Sequence, residues 1–405
     1  MLNEKNMQTS RRDFIKITAS TSALIGAGGV MSGITAASCG RLSKESNKKQ
    51  VFNDLEIITV CKADENLPRH SEASIIELND SSLLIAWQRF ERSRYGSGDE
   101  APSTIAFMNS SDGGRTWNNF RIGAEREAGS VNLYSPNFLR LQNGEILLLY
   151  KVYNQLASGQ PLLATVYAIR SSDEGKTFSA PEPVWERMSI GMSNSCIKRL
   201  SSGRVIFPVE YTEGNLWSPT ERDHVRVVYS DDDCKTWTIG QQNISLPMRG
   251  ASEAFIAELK DGRLIMVMRN QLGSLFKSYS TDQGESWSLP QTTGLSIPES
   301  CPYVTNIPGS DQIMVIWNNA EYNMHFRSHY GKRSPLTAAI SADGGVTFTD
   351  FWDIETDPGT AFSNPGITWT KDGVCLLTYW VCPYSKDWVM SGLIDLRLAR
   401  FRVNV

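Results

Sequence analysis

Five side chains stand in settings where anion binding or proton transfer is within reach. Arg69 lies in Pro68-Arg69-His70-Ser71-Glu72-Ala73-Ser74, just ahead of an apolar run; Arg269 ends the run Leu264-Ile-Met-Val-Met-Arg269-Asn270; Arg333 begins Arg333-Ser-Pro-Leu-Thr. A planar guanidinium presents a rigid fork of donors that meets both oxygens of a carboxylate, which a lysine ammonium does not. Asp99 sits in the glycine-rich stretch Tyr95-Gly-Ser-Gly-Asp99-Glu-Ala, and Glu253 in Gly250-Ala-Ser-Glu253-Ala-Phe, sixteen residues before Arg269. A loop that closes over a ligand excludes water and moves a carboxyl toward the range useful for proton transfer. Metal chemistry is not indicated. His325 and His329 lie four apart without a marked third ligand, and the seven cysteines include no CxxC pair, so no metal and no cofactor is expected.

The elements that must position these groups are announced by repetition. Ser-x-Asp-x-Gly-x-x-Trp/Phe recurs from Ser110, Ser171, Ser230, Ser280 and Ser341, at intervals of 50 to 61 residues, with Cys234 replacing the glycine in the third copy. The aspartate can accept hydrogen bonds from backbone N–H groups ahead of it, the glycine admits positive φ, and the aromatic packs the turn on its own sheet. These aspartates are read as fold elements, and the Cys234 turn is expected to carry some strain. A second pattern, a turn followed by an apolar strand, occurs six times, beginning at Asp80, Asn143, Ser202, Asp261, Ser310 and Asp372. Six short-strand units of this length, with little helical periodicity, predict an all-β, six-bladed propeller. The strand near Leu55–Val60 is expected to close the ring against Asp395–Val403.

The five Asp boxes and the residues above resemble those of bacterial sialidases and their Asp-box glycosidase relatives, over essentially the whole chain from residue 52. The resemblance implies a sialidase-type propeller with its site on the axial face. It implies that Arg69, Arg269 and Arg333 bind a sugar carboxylate, that Asp99 is the acid/base, with Glu100 its rival, and that Glu253 matches the glutamate that activates a nucleophilic tyrosine. The expected substrate is a glycan ending in an acidic sugar, sialic acid or a relative. One position departs from the pattern. In Ala361-Phe362-Ser363-Asn364-Pro365 the tyrosine is matched by Phe362, which has no hydroxyl to attack with. Tyr379, Tyr303 or another tyrosine could replace it, or Glu253 could activate water. The alternative is a glycan-binding propeller without hydrolysis, or an Asp-box relative with a different substrate. His70, Asn318, Phe362 and Tyr379 are expected near the pocket, along with polar groups at Tyr134-Ser135-Pro136-Asn137, Asn194 and Gln271.

The remaining residues set the address and exclude some partners. Residues 1–39 read as an export signal: Ser10-Arg11-Arg12-Asp13-Phe14 is a twin-arginine pattern, followed by a small-residue apolar run ending in Ala36-Ala37-Ser38-Cys39. Cys39 is the expected lipidation site and residues 40–51 a tether, which places residues 52–405 at the cell envelope or in the periplasm with membrane contact only through the lipid. With 40 basic against 44 acidic residues and a net charge of −4, the balance argues against a nucleic-acid surface, which needs a basic stripe.

Overall fold

The computed structural model describes residues 51–154, 163–213, 221–326, 329–390 and 392–405, the side chain of residue 187 excepted; the twin-arginine pattern and Cys39 lie outside these. All regular structure among the described residues is β, in six antiparallel sheets. Blade 1 joins Arg69–Glu77, Leu83–Phe90, Ser103–Ser110 and Asn118–Ala124, and blade 2 joins Ser130–Arg140, Ile146–Asn154, Leu163–Ser171 and Glu182–Met188. In blade 3 the inner strand is split into Ile190–Gly191 and Lys198–Arg199, both paired with Val205–Tyr211, followed by His224–Ser230 and Thr238–Ile239. Blade 4 holds Ser252–Glu258, Leu264–Arg269, Ser274–Ser280 and Gln291–Ser296; blade 5 holds Tyr303–Asn306, Ile313–Asn318, Leu336–Ser341 and Thr349–Glu355. Blade 6 runs Thr360–Trp369, Val374–Pro383 and Asp395–Val403, and its outer strand is Phe52–Cys61 from the other end of the chain. Each blade packs on the next and blade 6 returns to blade 1, so the predicted six-bladed propeller is what forms. No helix among the described residues is long and apolar enough to cross a membrane.

The second strands explain the apolar runs. Ile146–Leu149, Leu264–Val267 and Ile313–Trp317 are fully buried because both faces of each sheet meet a neighbouring blade. The Asp boxes fasten these contacts. In the fifth, Asp343 accepts from Ser341 Oγ at 2.7 Å, Val346 N at 3.0 Å, Thr347 N at 2.9 Å and Thr347 Oγ1 at 2.6 Å. The turn then docks on the preceding blade: a Cβ on Gly284, whose φ is +91°, would stand 2.3 Å from Ile206 Cδ1 of blade 3. Cations of the preceding blade also reach the box carbonyls, as Arg170 Nη2 does to Cys234 O at 2.9 Å and Arg400 Nε to Gly113 O at 3.1 Å. Cys234 adopts φ 65° with its side chain buried, the strained backbone expected of a non-glycine there. Asp343→Ala should lower unfolding stability by about 2 kcal/mol through the lost turn bonds, and leave ligand affinity unchanged. Thermal denaturation with and without ligand checks both; a change in affinity would give the box a role beyond the fold.

Candidate active site

A cavity of about 550 Å³ opens where the inner strands converge on the axis. Its wall contains Arg69, Asp99 and Glu100 from blade 1, Tyr134, Lys151 and Tyr153 from blade 2, Glu210 and Asp223 from blade 3, Glu253 and Arg269 from blade 4, Arg333 from blade 5, and Asn364 and Trp380 from blade 6. The three arginines and both carboxylates singled out in the sequence are therefore brought together.

Their partners differ. Arg69 has two carboxylate partners: Nε donates to Ser71 Oγ at 2.8 Å, Nη2 to Glu72 Oε1 at 2.9 Å and Nη1 to Asp99 Oδ1 at 2.6 Å. Burial alone would weaken its charge, but Glu72 and Asp99 more than offset this and hold its pKa above the ordinary value. Arg269 donates to Glu253 Oε2 and, through Nη2, to Glu299 Oε1 at 3.3 Å; Glu299 also receives Arg249 Nη1 at 3.1 Å and Gln271 Nε2 at 3.1 Å. Arg333 is 3% exposed, and no carboxylate among the described residues lies within salt-bridge distance of it. Its Nη2 donates to Glu299 O at 3.1 Å, its Nε is buried without a partner, and its guanidinium lies 5.5 Å from the Trp380 ring centroid. Burial, then the Arg269 charge, holds its pKa down to about 10.

Asp99 rides on the loop between the second and third strands of blade 1, and blade 2 anchors that loop: Asn132 Nδ2 donates to Asp99 O at 2.6 Å, and Tyr134 Oη donates to Asp99 Oδ1 at 3.1 Å. Partial desolvation of the Asp99 carboxyl raises its pKa, but the Arg69 charge and hydrogen bond win and keep it below its usual value. Across the ring, burial likewise pushes Glu253 up and Arg269 outweighs it, so Glu253 is ionised. Its neighbour Glu210, whose Oε1 accepts the Glu253 N–H at 2.9 Å, is pushed up by burial and then by the Glu253 charge. His329 also faces the cavity and is kept neutral by burial and by Arg333. Among the described residues no cluster of three or more His, Cys, Asp or Glu is arranged to hold a metal ion.

The sequence pattern of the BNR repeat-like domain matches residues 81–377. The chain belongs to the BNR repeat-like domain family. It is 25% identical over 290 residues to a sialidase of Bacteroides fragilis, covering 63% of this chain and 50% of that one, and 24% identical over 349 residues to a sialidase of Micromonospora viridifaciens, covering 78% and 50%. The chain thus spans about half the length of these relatives. The fold matches that of a Dyadobacter fermentans protein of unknown function, at 16% identity and TM-score 0.68, covering 87% of this chain and 99% of the other. It also matches the intramolecular trans-sialidase of Ruminococcus gnavus, at 16% identity and TM-score 0.66, covering 85% and 97%.

Within this BNR repeat-like propeller, four residues expected near the pocket do not line it. Phe362 is fully buried, packed edge-on against Tyr379 at 6.2 Å. Tyr379 gives its hydroxyl to Glu355 Oε1 at 2.8 Å, Asn318 Nδ2 donates to Phe362 O at 3.0 Å, and His70 Nδ1 accepts from Trp87 Nε1 at 3.0 Å. The reason at Phe362 is a β-bulge between Ser363 and Gly366, where Asn364 takes φ 52° and turns toward the axis instead. Asn364 Oδ1 then accepts from Trp380 Nε1 at 2.9 Å, so this wall presents an amide and an indole. Tyr303, a further candidate, gives its hydroxyl to Ser195 O at 2.7 Å and is buried, and Asn194 Nδ2 donates to Ala73 O at 2.9 Å.

Glu72, Lys151, Tyr153, Glu210, Asp223 and Arg249 were not singled out by sequence. Asp223 shows what the crowding does: burial, then the Glu210 charge, pushes it up to about 7 despite Arg249 Nε at 3.3 Å. The folded protein therefore holds this proton more tightly than the unfolded chain, so the group's contribution to stability is complete below about pH 4 and is lost as pH rises to about 7. Asp223→Asn should remove that loss, and its melting temperature should gain on the parent between those two pH values. A difference that does not change with pH would mean that Asp223 titrates normally.

Proposed function

We propose that this protein is an exported glycosidase that removes a terminal acidic sugar, sialic acid or a relative, from glycans. The observation that carries this reading is the buried Arg333 guanidinium, which lacks a carboxylate counterion in a cavity it shares with Arg69 and Arg269. Burying an unpaired charge is costly, and a ligand carboxylate is the chemistry that would compensate it. The sialidase relatives supply the sugar class. In this reading the arginines hold the sugar carboxylate, Asp99 protonates the leaving oxygen, and Glu253 serves the anomeric carbon from the opposite blade. Export by the twin-arginine route and lipidation at Cys39 complete the proposal and place the cavity where exogenous glycans arrive. Replacing Cys39 with Ser should release the protein from the membrane fraction.

A second reading, a propeller that binds acidic glycans without cleaving them, is favoured by one observation: Asn364 and Trp380 provide no nucleophile on their wall. The two readings separate on one experiment. The purified protein is incubated with sialosides and other glycans ending in acidic sugars, and released sugar is followed by mass spectrometry beside a Glu253→Gln control. Release that depends on Glu253 supports the glycosidase. Binding without release from any glycan supports the second reading.

A further inference from the structure

We propose that the nucleophile in this cavity is a water molecule activated by the Glu253 carboxylate and positioned with the help of Glu210, so that hydrolysis inverts the anomeric configuration. The inference rests on the glycosidase reading above and adds the course of the reaction.

Topology supplies the first argument. In a closed ring of six blades, blade 1 and blade 4 face each other across the axis, and they carry Asp99 and Glu253 respectively. The two therefore flank a sugar held on the axis, as the paired carboxyls of a glycosidase do. Second, neither Asn364 nor Trp380 can form and then release a glycosyl ester or ether. The tyrosines at the cavity belong to the acid's side. Tyr134 gives its hydroxyl to Asp99, and Tyr153 packs edge-on against Tyr134 at 5.4 Å, next to Lys151.

Third, Glu253 is held as a base should be. A bulge between Ser252 and Phe255, with φ 35° at Glu253, turns its side chain to the axis. Arg269 grips Oε2 and keeps the group ionised, while Oε1 has no hydrogen-bond partner among the described residues. Glu210 fixes the Glu253 backbone through the 2.9 Å bond to its N–H, and burial and the Glu253 charge raise its own pKa. Room for it is provided by Gly191, where a Cβ would stand 2.5 Å from Glu210 Oε2.

The step balances. The water oxygen bonds to the anomeric carbon as the bond to the leaving oxygen breaks; the water proton passes to Glu253, and the Asp99 proton goes to the leaving oxygen. Solvent then takes the proton from Glu253 and returns one to Asp99.

Proton NMR in the first minutes of hydrolysis reads the anomer released before mutarotation. The inverted anomer supports the proposal. The retained anomer overturns it, points to a tyrosine of blade 2, and leaves the glycosidase reading standing; no release from any acidic glycan overturns that reading and this one with it. Glu253→Ala should lose about 10²- to 10⁴-fold in kcat, with azide restoring turnover and yielding an inverted glycosyl azide. A retained azide would expose a covalent intermediate. Glu210→Ala should lower kcat about tenfold or more with KM held, and Glu210→Gln, which keeps an acceptor for the Glu253 N–H, should recover most of it. Equal kcat in all three would remove Glu210 from the reaction.

Discussion

Asp99→Asn should bind a free acidic sugar a few-fold more tightly than the parent, yet turn over substrate about 10²- to 10⁴-fold more slowly. The second effect is the ordinary loss of a proton donor. The first comes from the ion pair between Asp99 Oδ1 and Arg69 Nη1 at 2.6 Å. Ser71 and Glu72 take hydrogen bonds from Nε and Nη2 of that guanidinium, and Asp99 shares Nη1 with Ser97 O, so Asp99 stands where a ligand carboxylate would meet Nη1. With 58% of the Asp99 side chain exposed the pair is weak and displaceable, which limits the gain to a few-fold. Displacement also prepares the acid. Away from Arg69 and beside an incoming carboxylate, Asp99 loses the influence that keeps its pKa low and takes up a proton. Ligand affinity should therefore fall as pH rises through the window between the free and bound pKa of Asp99. Calorimetry in buffers of different ionisation enthalpy would read the proton taken up, and the Asn variant should show none at this group. Equal or weaker binding by the variant would mean that Asp99 does not compete for Arg69.

The contrast between Glu72 and the three arginines shows what the sequence made legible. The arginines were readable because the repeat sets a frame: Arg69 opens a first strand, Arg269 closes a second and Arg333 precedes a third, all at strand ends that meet at the cavity. The residues missed or misplaced sit on the irregularities. In a regular strand, residues three apart lie on opposite faces, so Arg69 and Glu72 should not meet. A bulge between Ser71 and Ala73, with φ 39° at Glu72, turns the glutamate to the arginine's side. The same device acts at Ser135, Glu253 and Asn364, each with positive φ beside a register shift and each at the cavity wall. Matching the sialidase tyrosine segment put Phe362 at the axis and left Asn364 out of view, because the bulge between Ser363 and Gly366 is not visible in that match. One signal was present: the tripeptide Ser-Glu-Ala occurs at 71–73 and again at 252–254, at matching places in opposite blades. Glu210, Asp223 and Lys151 carried no such mark, because only the closing of the ring brings blades 2 and 3 to the same wall as Glu253.

Arg333→Met should make the protein more stable and cost it most of its affinity for an acidic ligand. A guanidinium brought from 12.5 down to about 10 by burial costs the folded state about 3 kcal/mol at the conversion of 1.36 kcal/mol per pKa unit. The bond from Nη2 to Glu299 O and the contact with Trp380 return part of this. The net expectation is a gain of about 1–2 kcal/mol, seen as a melting temperature raised by a few degrees. Binding moves the other way, because removing one charged donor from a desolvated carboxylate site costs about 2–5 kcal/mol, or roughly 30-fold and upward in Kd. Arg69→Met makes the comparison sharp. It would strand Glu72, 4% exposed, without its cation, and should lower stability by about 3–5 kcal/mol while also weakening the ligand. Two arginines of one clamp thus separate: one is supported by the fold through Glu72 and Asp99, and the other is held in readiness at the fold's expense, as a binding group is. Thermal denaturation and calorimetry on both variants decide it, and a destabilised Arg333→Met that still binds the ligand would make Arg333 a structural residue.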